Sequence, residues 1–282
     1  MPGTLGIPQK GHGIVLENNR PTSDSNGESQ LAKILVVTSG KGGVGKTSLS
    51  VNLGTELASR GWRIMFVDAD LGLANAHILL GATPLQTLTE YLEGQTNLSG
   101  ILTPGPYGMK IISGGQGVQE MANLDEAGRS QVLGAIQDLR PYCDLVLVDT
   151  GAGVSKTVTD FVGIADHTLV VTNANFAAVA NAYGIVKVMH QDGYRNPMHL
   201  IVNRVRSPEE AQQVFVKLKS CTQKFLEFPI HWLGLVPEDQ RVNKAVQKRT
   251  PFTQAFPESL ASTYVRELTE SIEGLLGKSR VG

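Results

Sequence analysis

The chain has 282 residues, with 25 Lys and Arg against 26 Asp and Glu, a formal net charge of −1 and 41% hydrophobic residues. That balance supports an ordinary α/β core and offers no global charge for capturing nucleic acid, so direct nucleic-acid binding is not expected. With no apolar run of about 18 residues and no charged leader ahead of an apolar stretch, neither a membrane span nor a secretion signal is expected. The two isolated cysteines, Cys143 and Cys221, read as reduced thiols of a cytoplasmic protein.

Residues 1–30 are rich in Gly, Pro, Asn and Ser and read as a mobile arm; residues 31–282 read as a single domain. The first strand is KILVVT (33–38), a β-branched apolar run closed by glycines. The helix after those glycines sets Leu49, Leu53 and Leu57 on one face, with Gly61 at its C-terminal end. Further strands are expected at 63–67, 109–113, 144–148, 168–172, 198–202 and 232–236, separated by helical patterns at 124–140, 177–191, 208–227 and 258–276. Strands alternating with helices predict a doubly wound, mainly parallel sheet covered on both faces, with ligands held at the carboxyl ends of the strands.

The chemistry concentrates at those ends. SGKGGVGKTS (39–48) places Gly40, Gly45, Lys46 and Thr47 in the phosphate-loop pattern G-x-x-x-x-G-K-[ST], directly between a strand and a helix. The backbone of Gly40, Gly42, Gly43, Val44 and Gly45 would cradle the phosphates of ATP, Lys46 would reach the β- and γ-phosphates, and Thr47, followed by Ser48, would offer a hydroxyl to Mg²⁺. Asp149 ends DLVLVD, where a carboxylate can hold Mg²⁺ through water, and the N–H of Gly151 can meet the γ-phosphate. Asp68 and Asp70 end the second strand in FVDAD and point to the same side. Asp70 is the better placed to orient an attacking water; Asp68 either shares in the site, as a metal ligand, or caps the next turn.

The pattern requires one lysine, yet Lys41 stands in the same loop. Lys46 already fills the space beside the phosphates, so Lys41 either points outward to a nucleotide held by a second copy of the chain or is a solvated surface lysine. A cation delivered by a second subunit is worth about 10³ to 10⁵ in rate in phosphoryl transfer.

KGGVGKTS with its extra lysine resembles the deviant-P-loop ATPases that include MinD, ParA and the nitrogenase iron protein. VDADLGLANAHILLG (67–81), VDTGAGVSKTVTDFV (148–162), NAYGIVKVM (181–189) and LGLVPEDQRVNKAVQKRTPFTQAFPESLAS (233–262) are similar to the FlhG/FleN family of flagellar-number regulators within that group. The resemblance, over residues 31–276, implies a slow ATPase that is monomeric with ADP and a face-to-face homodimer with ATP. By it Lys41 is the lysine given to the partner's nucleotide, Asp70 the water-orienting residue, Asn203 the reader of the adenine edge, and the loop from Pro237 to Asp239 the cover over the base. Partners implied are a flagellar transcription regulator or the flagellar GTPase FlhF, with a division-site regulator of the MinD kind or a ParA-like positioning ATPase as alternatives.

The chain departs from that pattern at Asn175, Asn181 and Lys156, where acids are usual, and has no Asp-Gln-Ala activator signature in its arm. These changes bear on partner choice and leave the ATP site intact. Near the C-terminus, Val265, Leu268, Ile272, Leu275 and Leu276 recur at helical spacing, followed by Lys278 and Arg280. That stripe fits either reversible attachment to the inner face of the cytoplasmic membrane or packing of the last helix onto the sheet.

Overall fold

The structure is a computed structural model that describes residues 31–71, 74–115 and 124–277. The N-terminal arm, Lys278 and Arg280 lie outside the described residues. Among those described, the strands are β1 (Lys33–Ser39), β2 (Ile64–Ala69), β3 (Thr103–Pro104), β4 (Lys110–Ser113), β5 (Leu145–Ala152), β6 (His167–Thr172), β7 (Met198–Val205) and β8 (Ile230–Pro237). They form one sheet in the order β3-β4-β2-β5-β1-β6-β7-β8. Neighbouring strands run parallel except β3, a two-residue antiparallel edge that the sequence patterns do not announce.

The central strands are apolar on both faces because both are covered. In β1, Ile34 and Val36 enter one core while Leu35 and Val37 enter the other. The first core is covered by α4 (Glu126–Asp138), α5 (Lys156–Gly163), α6 (Phe176–Gln191) and α7 (Pro208–Leu226). The second lies under α1 (Lys46–Ser59), the short α2 (Ala76–Leu79), α9 (Phe252–Ala255) and α10 (Leu260–Leu275). Of two further helices, α3 (Leu88–Leu92) buries Leu88 in the first core and α8 (Gln240–Gln247) buries Ala245 in the second. The doubly wound architecture is the one expected, with α5 and the short helices as additions.

Local sequence sets the helix ends. Leu49, Leu53 and Leu57 of α1 are all buried, and Gly61 turns the chain out of it at φ +89°. Ser155, Asn175, Ser207, Asp239 and Ser259 each precede a helix and accept a backbone N–H from its first turn. At the far end of α1, Arg60 pairs with Glu273 at 2.9 Å and the Trp62 indole N–H donates to the same carboxylate at 3.0 Å, which ties α1 to α10.

The C-terminal stripe is resolved in favour of packing for its central members. Val265, Leu268 and Ile272 are buried in the core between α10, β8 and α1, and Leu276 packs at its margin. Among the described residues no helix is long and apolar enough to cross a membrane.

Candidate functional site

Parallel pairing brings the carboxyl ends of β1, β2 and β5 together. In register, Val37 of β1 faces Asp149 of β5, and Asp149 faces Asp68 of β2. The two carboxylates therefore stand side by side under the loop from Gly40 to Gly45.

That loop is shaped by its neighbours. Ser39 Oγ donates to the Lys41 carbonyl at 3.1 Å, and Asn203 Nδ2, from the end of β7, donates to the Val44 carbonyl at 2.8 Å. Every described peptide is trans, so turning a carbonyl outward turns the next residue's N–H inward. The bond from Asn203 to the Val44 carbonyl thus turns the N–H of Gly45 the other way, beside a cleft of about 210 Å³ lined by Ser39, Gly42 to Gly45, Lys46, Thr47, Ser48, Asp70 and Ala152. With the start of α1 beneath it, this cleft is a ready anion site. A Cβ at Gly45, whose φ is +90°, would sit 2.4 Å from Asn203 Nδ2, and one at Gly40 would sit 2.1 Å from the Asn181 carbonyl oxygen of α6. Only glycine fits either place.

Lys46 is 7% exposed and its Nζ lies 2.9 Å from Asp149 Oδ1 and 3.5 Å from Thr47 Oγ1. Asp149 is fully buried; Oδ1 also accepts from Ser50 Oγ at 2.6 Å, while Oδ2 has no hydrogen-bond partner. A buried carboxylate oxygen left unpartnered beside Thr47 is the arrangement a hydrated divalent cation would complete. Thr47 and Asp149 thus fit Mg²⁺, with Asp149 acting through water.

Asp68 shows the turn-capping arrangement. Its two oxygens accept the N–H of Asp70 at 3.3 Å and of Ala76 at 2.8 Å. Burial, and then the charge of Asp149, push its carboxyl up to about 7 against the pull of those two N–H groups and of Lys46. Asp70 is part-exposed, lines the phosphate cleft, and lies so that a Cβ on Gly151 would be 3.6 Å from its Oδ1. Gly151 thus lies beside Asp70 without itself lining that cleft, whose wall there is formed by Asp70 and Ala152. Lys41 is exposed and does not line that cleft.

A larger cleft of about 670 Å³ adjoins the first, walled by Ser48, Asn203, Pro237, Asp239, Val242 and Phe252 among others. Its size suits a nucleoside. Two residues of this cleft are also tied into the protein around it. The amide of Asn203 is engaged at both ends, by the Val44 carbonyl and by the Arg204 N–H at 3.0 Å, so it braces the phosphate loop. The Asp239 carboxylate caps α8 through the Arg241 N–H at 2.8 Å and accepts from the Ala261 N–H at 3.4 Å, which positions the loop after Pro237.

Two residues of α1 were not anticipated. Ser50, one turn after Lys46, holds Asp149. Asn52 donates to the Ser48 carbonyl at 2.7 Å and accepts from Thr253 N–H and Oγ1 at 2.9 and 3.1 Å, joining α1 to α9. The spacing of Ser50 from Lys46 was a usable signal; nothing in the sequence marks Asn52.

A glycine loop between strand and helix, a buried lysine on a strand-end aspartate, and a nucleoside-sized cleft beside them define a P-loop nucleotide-binding protein. The family described as CobQ/CobB/MinD/ParA nucleotide binding domain matches residues 35–252, and the chain belongs to it, on the FlhG/FleN branch. Antiactivator FleN of Pseudomonas aeruginosa is 36% identical over 247 residues, 88% of each chain. Flagellum site-determining protein YlxH of Helicobacter pylori is 27% identical over 262 residues, 93% of this chain and 86% of its own. Among solved structures, the septum site-determining protein MinD of Pyrococcus horikoshii, complexed with Mg-ADP, overlays with a TM-score of 0.74 at 24% identity, over 89% of this chain and 100% of that one.

Proposed function

We propose that this protein is an ATP-driven dimerising switch that sets flagellar number and placement. The observation that carries the switch is the division between two lysines of one loop: Lys46 is buried on Asp149 beside the phosphate cleft, while Lys41 stands exposed outside it. An exposed lysine next to the exposed Gly42 and Gly43 is placed to reach a nucleotide on a second copy. Val154, 47% exposed, and Phe176, 88% exposed at the start of α6, add apolar surface that a second copy would cover.

In this reading Thr47, and Asp149 through water, would hold Mg²⁺, whose charge would offset that of the phosphates. Lys46 leaves Asp149 for the β- and γ-phosphates, Gly42 and Gly45 donate their N–H groups, and Gly151 offers its own from beside Asp70. Asp70 orients the water that attacks the γ-phosphorus, and Lys41 of the facing subunit stabilises the charge developing there. Hydrolysis then returns the dimer to monomers.

The flagellar output rests on the relatives, an antiactivator and a flagellum site-determining protein. A flagellar transcription activator is the partner the first suggests, with the flagellar GTPase FlhF as the second candidate, and the inner membrane surface a further docking place. The test is to delete the gene and count flagella and minicells in the same cells by electron microscopy. Excess or misplaced flagella with normal division is the expected result; minicells with normal flagella would make the protein a division-site regulator instead.

A further inference from the structure

We propose that Arg204 is a positioning residue of the phosphate loop, holding one loop carbonyl outward so that the N–H of Val44 faces bound phosphate. The inference rests on the nucleotide site proposed above and gives Arg204, which stands on the wall of the nucleoside-sized cleft, a role on the phosphate side.

Three linked observations point to it. The register between β7 and β8 shifts between Asn203 and Val205, so Arg204 is the extra residue of a bulge. Bulges beside functional sites re-aim a side chain. Arg204 also has φ 56°, a left-handed conformation that a non-glycine residue adopts at a cost of about 1–3 kcal/mol and that persists only where the surroundings impose it. The result of that conformation is a contact: Arg204 Nη1 donates to the Gly43 carbonyl at 3.4 Å, and Nη2 lies 3.8 Å from Glu238 Oε1 on the loop beside the nucleoside cleft.

The consequence for the loop follows from peptide geometry. The Gly43 carbonyl and the Val44 N–H belong to one trans peptide, so drawing the carbonyl toward β7 drives the N–H the other way. Asn203 does the same one residue on, through the Val44 carbonyl. Consecutive side chains at the end of β7 thus fix consecutive peptides of the loop, and the backbone N–H of Arg204 donates in turn to Asn203 Oδ1, which locks the pair together. A loop with two glycines at positive φ, Gly43 and Gly45, has many other conformations open to it. Bracing from outside makes it an anion cradle before the anion arrives. The same guanidinium also lies 3.8 Å from Glu238 on the base-side loop, an exposed pair that adds little to the brace.

The test is calorimetric titration of the wild type, Arg204→Gly and Arg204→Lys with two probes, ATP and inorganic tripolyphosphate. Glycine is at ease at φ 56°, so that variant folds without strain, and thermal melts of the nucleotide-free proteins check it. A long, solvent-exposed bond of this kind predicts about threefold weaker binding of both probes by Arg204→Gly, by the same factor, with part of the loss recovered by Arg204→Lys. Amide exchange at Val44 should be faster in the nucleotide-free glycine variant. Unchanged tripolyphosphate affinity in Arg204→Gly would overturn the inference, whatever ATP does. So would a wild type that binds ATP but not tripolyphosphate, since a braced loop must hold the anion alone. A wild type that binds neither would overturn the nucleotide site itself.

Discussion

Replacing Asp149 with asparagine tests the buried pair at the heart of the site. Lys46 is 7% exposed and Asp149 is 0% exposed, with their charged atoms 2.9 Å apart, so Asp149→Asn leaves a cation buried without its anion. Breaking such a pair costs about 3–5 kcal/mol. The upper end is capped, because the asparagine oxygen still offers the Lys46 ammonium a neutral acceptor in place of the carboxylate. Asp68 lowers the figure further: relieved of Asp149's charge, which helps hold its carboxyl up at about 7, it ionises more readily and offers Lys46 a substitute anion. The asparagine oxygen keeps the bond from Ser50. The net expectation is about 2–4 kcal/mol lost from the nucleotide-free protein, or roughly 5–15 °C in melting temperature. Urea unfolding without Mg²⁺ measures it. Adding ADP in the same buffer should stabilise the variant more than the wild type, since the phosphates give Lys46 a new anion. A loss under about 1 kcal/mol, or an equal ADP effect on both proteins, would refute the reasoning.

Asn52→Ala removes three hydrogen bonds, two of them buried, that link α1, the Ser48 carbonyl and Thr253, and should destabilise by about 2–3 kcal/mol without changing phosphate contacts. Chemical denaturation shows the loss and nucleotide titration the unchanged affinity. His199 stands between His167 and His231 on neighbouring strands, its ring nitrogen 3.3 Å from that of His167. Burial, then the two flanking histidines, lower its pKa from 6.5 to about 4. The folded state thus holds fewer protons than the unfolded one between about pH 6.5 and 4, so stability is present above that window and falls as pH drops through it. His199→Asn should flatten that fall in unfolding curves taken from pH 7 to pH 4.

Much of this fold is local in the sequence and some of it is not. The phosphate loop was legible because its glycines, lysine and threonine are contiguous and must sit between a strand and a helix. Leu49, Leu53 and Leu57 announced the buried face of α1 by spacing alone. The braces of the site were hidden because their partners are far away in the chain: Ser50 bonds Asp149 across 99 residues, Asn203 bonds Val44 across 159, and Asn52 bonds Thr253 across 201. Asn203 was singled out through a resemblance, but its bond to the phosphate loop was not visible in the sequence. For Asp68 the choice between a direct role and a turn cap depended on where Ala76 N–H comes to rest, which no pattern states. The stripe of Val265, Leu268 and Ile272 has the same period whether it meets a sheet or a membrane, and only the position of β8 and α1 settled it.

The central claim is a nucleotide-dependent change of assembly that depends on Lys41. The direct measurement is sedimentation of the purified chain with Mg-ADP and with Mg-ATP, for the wild type and for Lys41→Ala, with ATP binding measured in parallel. The account predicts monomers with ADP, dimers with ATP for the wild type, and monomers with ATP for Lys41→Ala at nearly unchanged ATP affinity. A wild type that stays monomeric on ATP, or a Lys41→Ala variant that dimerises normally, would contradict it.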